Sequence, residues 1–263
     1  MGATHAAAVV ALNPLDPHSL LSSHGAVGVF LVLSTGRTSV NPLRTLDDQL
    51  MLAVNTFARH TGWLHAPVLA YATYGVVLFA LLLLGGVLFA RHRSDRDLAA
   101  AGWAPLGMLL AVAVNQPVGR LLAEARPYAA HPALLRLADP TKDFSFPSDH
   151  AVMAGAVAAG LLLVSRRLGL VAAAAALVMA FSRVYIAAHY PWDVAAGLAF
   201  GALVAVAGWL LLRRPLIALV AWLRTPDRLR SQATSAISGR RSSSQPVMAT
   251  RAPNARPAAT SHG

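Results

Sequence analysis

The chain has 263 residues, 56% hydrophobic and 13% charged, with a mean hydropathy of +0.53, which excludes an ordinary soluble domain and describes a membrane protein. Lys and Arg number 22 against 11 Asp and Glu, a net charge of +11, and nine arginines and one aspartate after residue 212 supply +8 of it. The absence of cysteine excludes disulfide frameworks, thiolate metal sites, iron–sulfur clusters and cysteine nucleophiles.

Residues 1–44 hold one apolar stretch, 25–33, too short to span a bilayer and without an early basic region, so they read as a poorly ordered extension. Over 46–59, Leu46, Leu50, Val54 and Phe57 recur at helical spacing with Asp47, Asp48 and Asn55 elsewhere. That pattern predicts a helix at the membrane interface, with a core helix as the alternative. A spanning helix needs about 20 mostly apolar residues. Five runs fit: 67–90, ended by Arg91, Arg93 and Arg96; 98–118, with Pro105 and Pro117 inside and a kink or break expected there; 151–164, short unless its first turn begins at Ser148; 168–187, with Arg183 near its end; and 194–212, closed by Arg213 and Arg214. From residue 225 onward Ser, Ala, Pro, Gly and Arg dominate without apolar periodicity. The predicted organisation is an extension (1–44), a membrane-embedded domain (45–224) and a basic disordered tail (225–263) that either holds anionic lipid headgroups or is simply solvated.

The predicted fold is therefore all-α, a polytopic bundle of about five spanning helices plus an N-terminal interfacial helix. Gly197 and Gly201 stand at a small-xxx-small interval that permits close helix packing. Trp63, Trp192, Trp209 and Trp222 near segment ends read as interface anchors. The connections at 91–97 and 165–167 and the flank at 213–230 are basic, which predicts a cytoplasmic side for all three and an outer side for 119–149 and 186–193.

Those two outer connections hold polar groups that hydrophobic packing does not require. An ionisable group within a membrane segment costs about 2.5 to 3.5 kcal/mol at the bilayer centre, so Arg183 needs a reason. Singly, each such residue has a bland reading: a snorkelling arginine, interfacial histidines, a helix N-terminal aspartate. Together, Arg126, Ser148, His150, Arg183, His189 and Asp193 fall on one predicted side. Arginine forks suit phosphate oxygens, and a histidine can attack phosphorus without a metal. Ser148 precedes an apolar run and is an expected N-cap, with free amides beyond it for an anion. Pro191 suits the first turn of the next helix, putting His189 in the preceding loop within reach of Asp193. Asp193 would fix one ring nitrogen and leave the other to attack, while His150 would protonate the leaving oxygen.

Pro147-Ser148-Asp149-His150 looks like a P-S-x-H motif, and Ser182-Arg183, five residues, His189, three residues and Asp193 match S-R-x5-H-x3-D. With Arg126-Pro127 as the second half of K-x6-R-P, the chain over about 46–212 resembles the type-2 phosphatidic acid phosphatase superfamily. FPSDH, RVY and HYPWDV are similar to its bacitracin-resistance type of undecaprenyl-diphosphatase. The resemblance implies His189 as nucleophile forming a phosphohistidine, Asp193 as its orienter, His150 as acid and then base, and Arg126, Arg183 and Ser148 as phosphate ligands. It implies no cofactor or metal, no nucleic acid, and a partner that is a polyprenyl diphosphate or related phospholipid among the membrane lipids.

The motif lysine falls on Gly119, and Arg120 is expected to supply its contact, ahead of Lys142, the one lysine in the chain. Asp149 would repel a dianion unless it points away or pairs with an arginine. Glu124 either orients Arg126 or is solvated. The implied reaction is hydrolysis of undecaprenyl diphosphate to the monophosphate at the outer face of the cell membrane. Phosphatidylglycerophosphate, phosphatidate or diacylglycerol pyrophosphate are alternative substrates, and a non-catalytic lipid-binding or transport protein is the rival from another class.

Overall fold

A computed structural model describes residues 42–243, so the expectations for 1–41 and 244–263 lie outside the described residues. Among these the chain forms α1 (Pro42–His60), α2 (Gly62–Ala90), α3 (Asp95–Leu122), a single turn α4 (Pro127–Ala130), α5 (Asp149–Val164), α6 (Arg166–Tyr185) and α7 (Pro191–Ser243), with no strand. The expected all-α architecture holds. Four stretches, 62–90, 95–130, 166–185 and 191–225, are long and apolar enough to cross a membrane. The expected fifth span, α5, has 16 residues. At about 1.5 Å per residue it rises roughly 24 Å, less than a hydrocarbon core of about 30 Å. It is the inner helix of the bundle: it packs against α3, α6 and α7, and most of its side chains are buried. Leucines on the surrounding helices, such as Leu81, Leu109, Leu177 and Leu211, point outward, as lipid contact requires.

Glycine lets α5 and α7 meet backbone to backbone, as their spacing predicts. A Cβ on Gly201 would stand 1.9 Å from the Val152 carbonyl oxygen, and one on Gly155 would stand 2.2 Å from that of Leu198. Neither obstacle is a side chain that could rotate aside. Gly201→Leu should therefore cost at least the ~1–3 kcal/mol of ordinary overpacking and lower the melting temperature in detergent by about 5 °C or more. Gly102→Ala, with no atom within 4 Å of the added carbon, is the matched control; equal melting of the two variants would contradict this packing.

Several expectations need correction. Helix α3 stays helical through Pro105 and Pro117 instead of breaking, since within a bundle neighbouring helices and local adjustment satisfy the groups a proline frees. In α1 the leucine stripe faces outward, with Leu46 and Leu50 exposed, in keeping with the interfacial reading rather than the core alternative, and the buried face is Met51, Asn55 and Ala58. Lipid is as apolar as a core, so a polar Asn55 gains more from the protein. Trp209 is buried rather than an interface anchor, packed with Trp103. Helix α7 is described to Ser243. Arg, Leu, Gln and Ala are good helix formers, and the segment continues an existing helix, so no new nucleus is needed.

The basic ends of the helices gather at one end of the bundle. Arg224 donates to the Arg93 carbonyl oxygen (2.8 Å) and pairs with Asp95 (3.1 Å), while Arg96 donates to the Leu163 carbonyl oxygen (3.3 Å). The connections 123–148 and 186–190 leave the opposite ends of the same helices.

Candidate active site

The 186–190 loop follows α6, and the N-termini of α5 and α7 meet it. His189 is 2% exposed, and its Nδ1 lies 2.7 Å from the Ser145 carbonyl oxygen. A carbonyl only accepts, so Nδ1 carries the proton and Nε2 the lone pair. That lone pair faces Arg126, whose Nη1 stands 3.2 Å away. Burial, and then the Arg183 and Arg126 cations, hold the His189 pKa well below the usual imidazole range, which keeps the ring neutral.

Asp193, 1% exposed, opens α7. Its Oδ2 accepts from the Ser145 hydroxyl and from the Tyr190 amide (2.9 Å), and lies 3.7 Å from Nδ1 of His189. This is beyond hydrogen-bond range. The expected direct Asp193–His189 bond is thus replaced by a relay: Asp193 holds Ser145, whose carbonyl occupies the ring nitrogen that Asp193 was expected to take.

Arg126 is 6% exposed, and four of its five N–H donors have protein partners, which leaves one on Nη2. Nη1 also donates to the Ala188 carbonyl oxygen (2.9 Å), Nε to the Asp143 carbonyl oxygen (3.3 Å) and Nη2 to the Asp143 carboxylate (2.9 Å). Burial would raise the Asp143 pKa, but hydrogen bonding with Thr141 and the Arg126 cation bring it below its ordinary value.

Arg126 also lines a cavity of about 240 Å3 together with His150, Arg183, Arg136, Tyr128 and Thr141. Arg183, one of these lining residues, has a buried Nε with no protein partner, and Ser148 Oγ, which is not part of the lining, is likewise buried and unpartnered. Ser148 does occupy the N-cap position of α5, but its hydroxyl makes no capping bond. A buried donor without a partner costs about 1–3 kcal/mol, which an oxygen-rich anion would relieve. A larger cavity of about 790 Å3, between α1 and the start of α7, has leucine, Phe146 and Trp192 walls but also Asp47, Asp48 and Glu124. Burial lifts Asp47 to about 6 even though its carboxylate accepts the Trp192 amide (2.9 Å). Charge assigns an anion to the smaller, arginine-lined cavity.

Residues 100–216 match the PAP2 superfamily. This stretch is a PAP2 superfamily domain. The PAP2 domain contains Arg126, Ser148, His150, Arg183, His189 and Asp193. The undecaprenyl-diphosphatase BcrC of Bacillus subtilis (strain 168) is 29% identical over 180 residues, 66% of this chain and 90% of that protein. The decaprenylphosphoryl-5-phosphoribose phosphatase of Mycobacterium tuberculosis is 38% identical over 125 residues, 47% of this chain and 65% of that protein. A solved structure, the transmembrane PAP2 type phosphatidylglycerolphosphate phosphatase from Bacillus subtilis, aligns with a TM-score of 0.48 at 20% identity over 69% of this chain and 90% of that one.

Arg120 is not among the residues around this PAP2 cavity. It lies exposed at the end of α3, whereas a Cβ at Gly119 would stand 3.6 Å from the Phe146 carbonyl oxygen, on the side of the site. One residue along a helix is a turn of about 100°, so the neighbour in sequence faces elsewhere. Lys142 is also exposed and outside the cavity lining. Glu124 pairs with Arg44 of α1 (3.2 Å), and the carboxylate on Arg126 is that of Asp143. Asp149 is held by amides, not by an arginine: Asn115 and Gln116 of α3 donate to its Oδ1 at 2.7 and 2.9 Å, and Asn115 also donates to the Pro147 carbonyl oxygen (3.1 Å). The two polar residues late in the apolar run of α3 are the sequence signal for this clamp.

Proposed function

We propose that this PAP2 domain hydrolyses undecaprenyl diphosphate, or a closely related polyprenyl diphosphate, to the monophosphate and inorganic phosphate through a phosphohistidine. The observation that carries the reading is the buried His189 with a fixed Nδ1 proton, its lone pair turned to an arginine that also lines the smaller, arginine-lined cavity. Nε2 of His189 bonds to the terminal phosphorus as the bridging P–O bond breaks, and His150 gives its proton to the leaving oxygen. Water then attacks the phosphohistidine, His150 takes its proton, and His189 is restored. Arg126, Arg183, Ser148 and the first-turn amides of α5 bear the charge that builds on the phosphoryl oxygens. The PAP2 relatives named for undecaprenyl and decaprenyl lipids support a polyprenyl tail. The basic helix ends at the other end of the bundle support an outward-facing site in a multi-pass cell-membrane protein, with α7 ending in the cytoplasm.

A second reading keeps the tail and changes the head: a polyprenyl-linked sugar phosphate, favoured by the 38% identity to the phosphoribose phosphatase. Initial rates in EDTA on undecaprenyl diphosphate, decaprenylphosphoryl-5-phosphoribose, phosphatidylglycerophosphate and phosphatidate separate the readings. The undecaprenyl diphosphate rate per enzyme should be highest; a clear preference for another head or a glycerol backbone would replace the proposed substrate.

A further inference from the structure

Gly119 leaves the PAP2 site one cation short of its sequence pattern, and the adjacent Arg120 faces elsewhere. The described residues place a different arginine at the cavity. Arg136 lines it with Arg126, His150 and Arg183, although it sits in an irregular segment between α4 and α5 and belongs to no motif. Its guanidinium stands 5.6 Å from the centre of the Tyr128 ring, another lining residue, so one face of the fork is braced by a ring while its N–H edge remains usable.

The segment is fixed on both sides of this residue. Asn55 of α1, 2% exposed, grips the preceding residue twice, donating to the Leu135 carbonyl oxygen (2.8 Å) and accepting from the Leu135 amide (3.0 Å). The next amide, Leu137, donates to the Ile186 carbonyl oxygen (3.5 Å), three residues before His189. Tyr128 is anchored in turn, its hydroxyl accepting from the Thr141 amide (3.0 Å). A buried asparagine spent on holding one residue of a loop explains how an exposed arginine keeps a fixed place at the rim.

A single phosphoryl group already has Arg126, Arg183, Ser148 and helix amides. Arg126 is already paired with Asp143, so among the described residues Arg183 and Arg136 are the lining arginines without a carboxylate partner, one for each phosphate of a diphosphate. The acidic lining residue, Asp139, forms no ion pair with Arg136 among the described residues. We propose that Arg136 binds the leaving phosphate of a lipid diphosphate, on the His150 side of the cavity, and thereby makes the site prefer diphosphate over monophosphate headgroups. This rests on the diphosphatase reading above and names the residue that sets it.

The test uses the full chain in detergent with Arg136→Ala and Arg136→Lys. Affinities for methylenediphosphonate and for inorganic phosphate are measured by thermal stabilisation, which needs no turnover. Loss of one charge-assisted contact predicts a diphosphonate Kd raised by about 10- to 100-fold in Arg136→Ala, partly restored by lysine, with phosphate binding kept within about threefold. Equal weakening of both ligands, or of neither, overturns the assignment. In parallel, kcat/KM is compared on farnesyl diphosphate and farnesyl monophosphate, which share one tail. The alanine variant should lose about 10- to 100-fold on the diphosphate alone. A wild type that prefers the monophosphate would sink the diphosphatase reading, while the binding measurement still decides whether Arg136 holds a second phosphate.

Discussion

Replacing His189 by alanine is expected to lower phosphate release by at least about 10⁴-fold, because the nucleophile acts as one unit with its supporting groups. The variant also loses the hydrogen bond to Ser145, a buried interaction whose removal costs about 1–3 kcal/mol, so melting in detergent should be followed beside activity. Activity alone does not separate a nucleophile from a residue that merely shapes the cavity. Substrate labelled on its terminal phosphate does. After an alkaline quench, which spares a phosphohistidine, wild-type protein should carry label and the His189→Ala protein none. His150→Ala should lose about 10²- to 10⁴-fold in rate, as expected for an acid–base group, and still become labelled. Label on a His189→Ala protein, or activity within tenfold of wild type, would remove His189 from the chemistry.

Arg126→Ala should lower kcat/KM by about 10²- to 10³-fold, the usual cost of removing one preorganised donor to a developing oxyanion. Its distinctive feature is the breadth of the damage. The Ala188 and Asp143 carbonyl oxygens, the Asp143 carboxylate and Nε2 of His189 all lose their donor at once. Stability should therefore fall as well, by about 1–3 kcal/mol, since the Ala188 carbonyl oxygen is left buried without this donor. Arg126→Lys keeps the charge but offers no planar fork, so it should recover no more than about tenfold of the lost activity. Full recovery by lysine would mean that charge alone matters and that the fork geometry is incidental. Asp143, 60% exposed at its side chain, is the mild end of the same pair, and Asp143→Asn should change stability by less than about 1 kcal/mol.

The legible parts of this molecule were those written locally. His150 is the second residue of α5, His189 and Asp193 stand four apart across the start of α7, and Arg183 stood out because a membrane segment does not carry a charge without use. The apolar runs marked α2, α3, α6 and the first part of α7. What was not legible depended on distance along the chain or on backbone atoms. Ser145 contributes a carbonyl to His189 and a hydroxyl to Asp193, and no residue pattern announces a carbonyl. Arg136 and Asn55 are 81 residues apart in sequence and meet only through the 133–137 segment. Arg120 was the nearest cation to the vacant lysine position, but sequence proximity on a helix is a poor guide to direction. The role of α5 as a short inner helix was also hidden, since alanine and glycine suit a lipid-facing and a protein-facing surface equally by composition.

The contact between α5 and α7 sets how closely the two helix starts can stand. A Cβ at Gly197 would stand 2.9 Å from the carbonyl oxygen of Ser148, two residues from His150 and four from Asp193 on its own helix. The span between His150 and Asp193, the proposed acid and orienting carboxylate, is therefore metered by a missing carbon atom. A methyl group here would push apart the two helix starts that carry the acid and the buried carboxylate. A side chain at position 197 would therefore disturb the spacing of these groups from outside the cavity, whereas the outward-facing leucines further along the same helix, such as Leu203 and Leu211, meet no such limit.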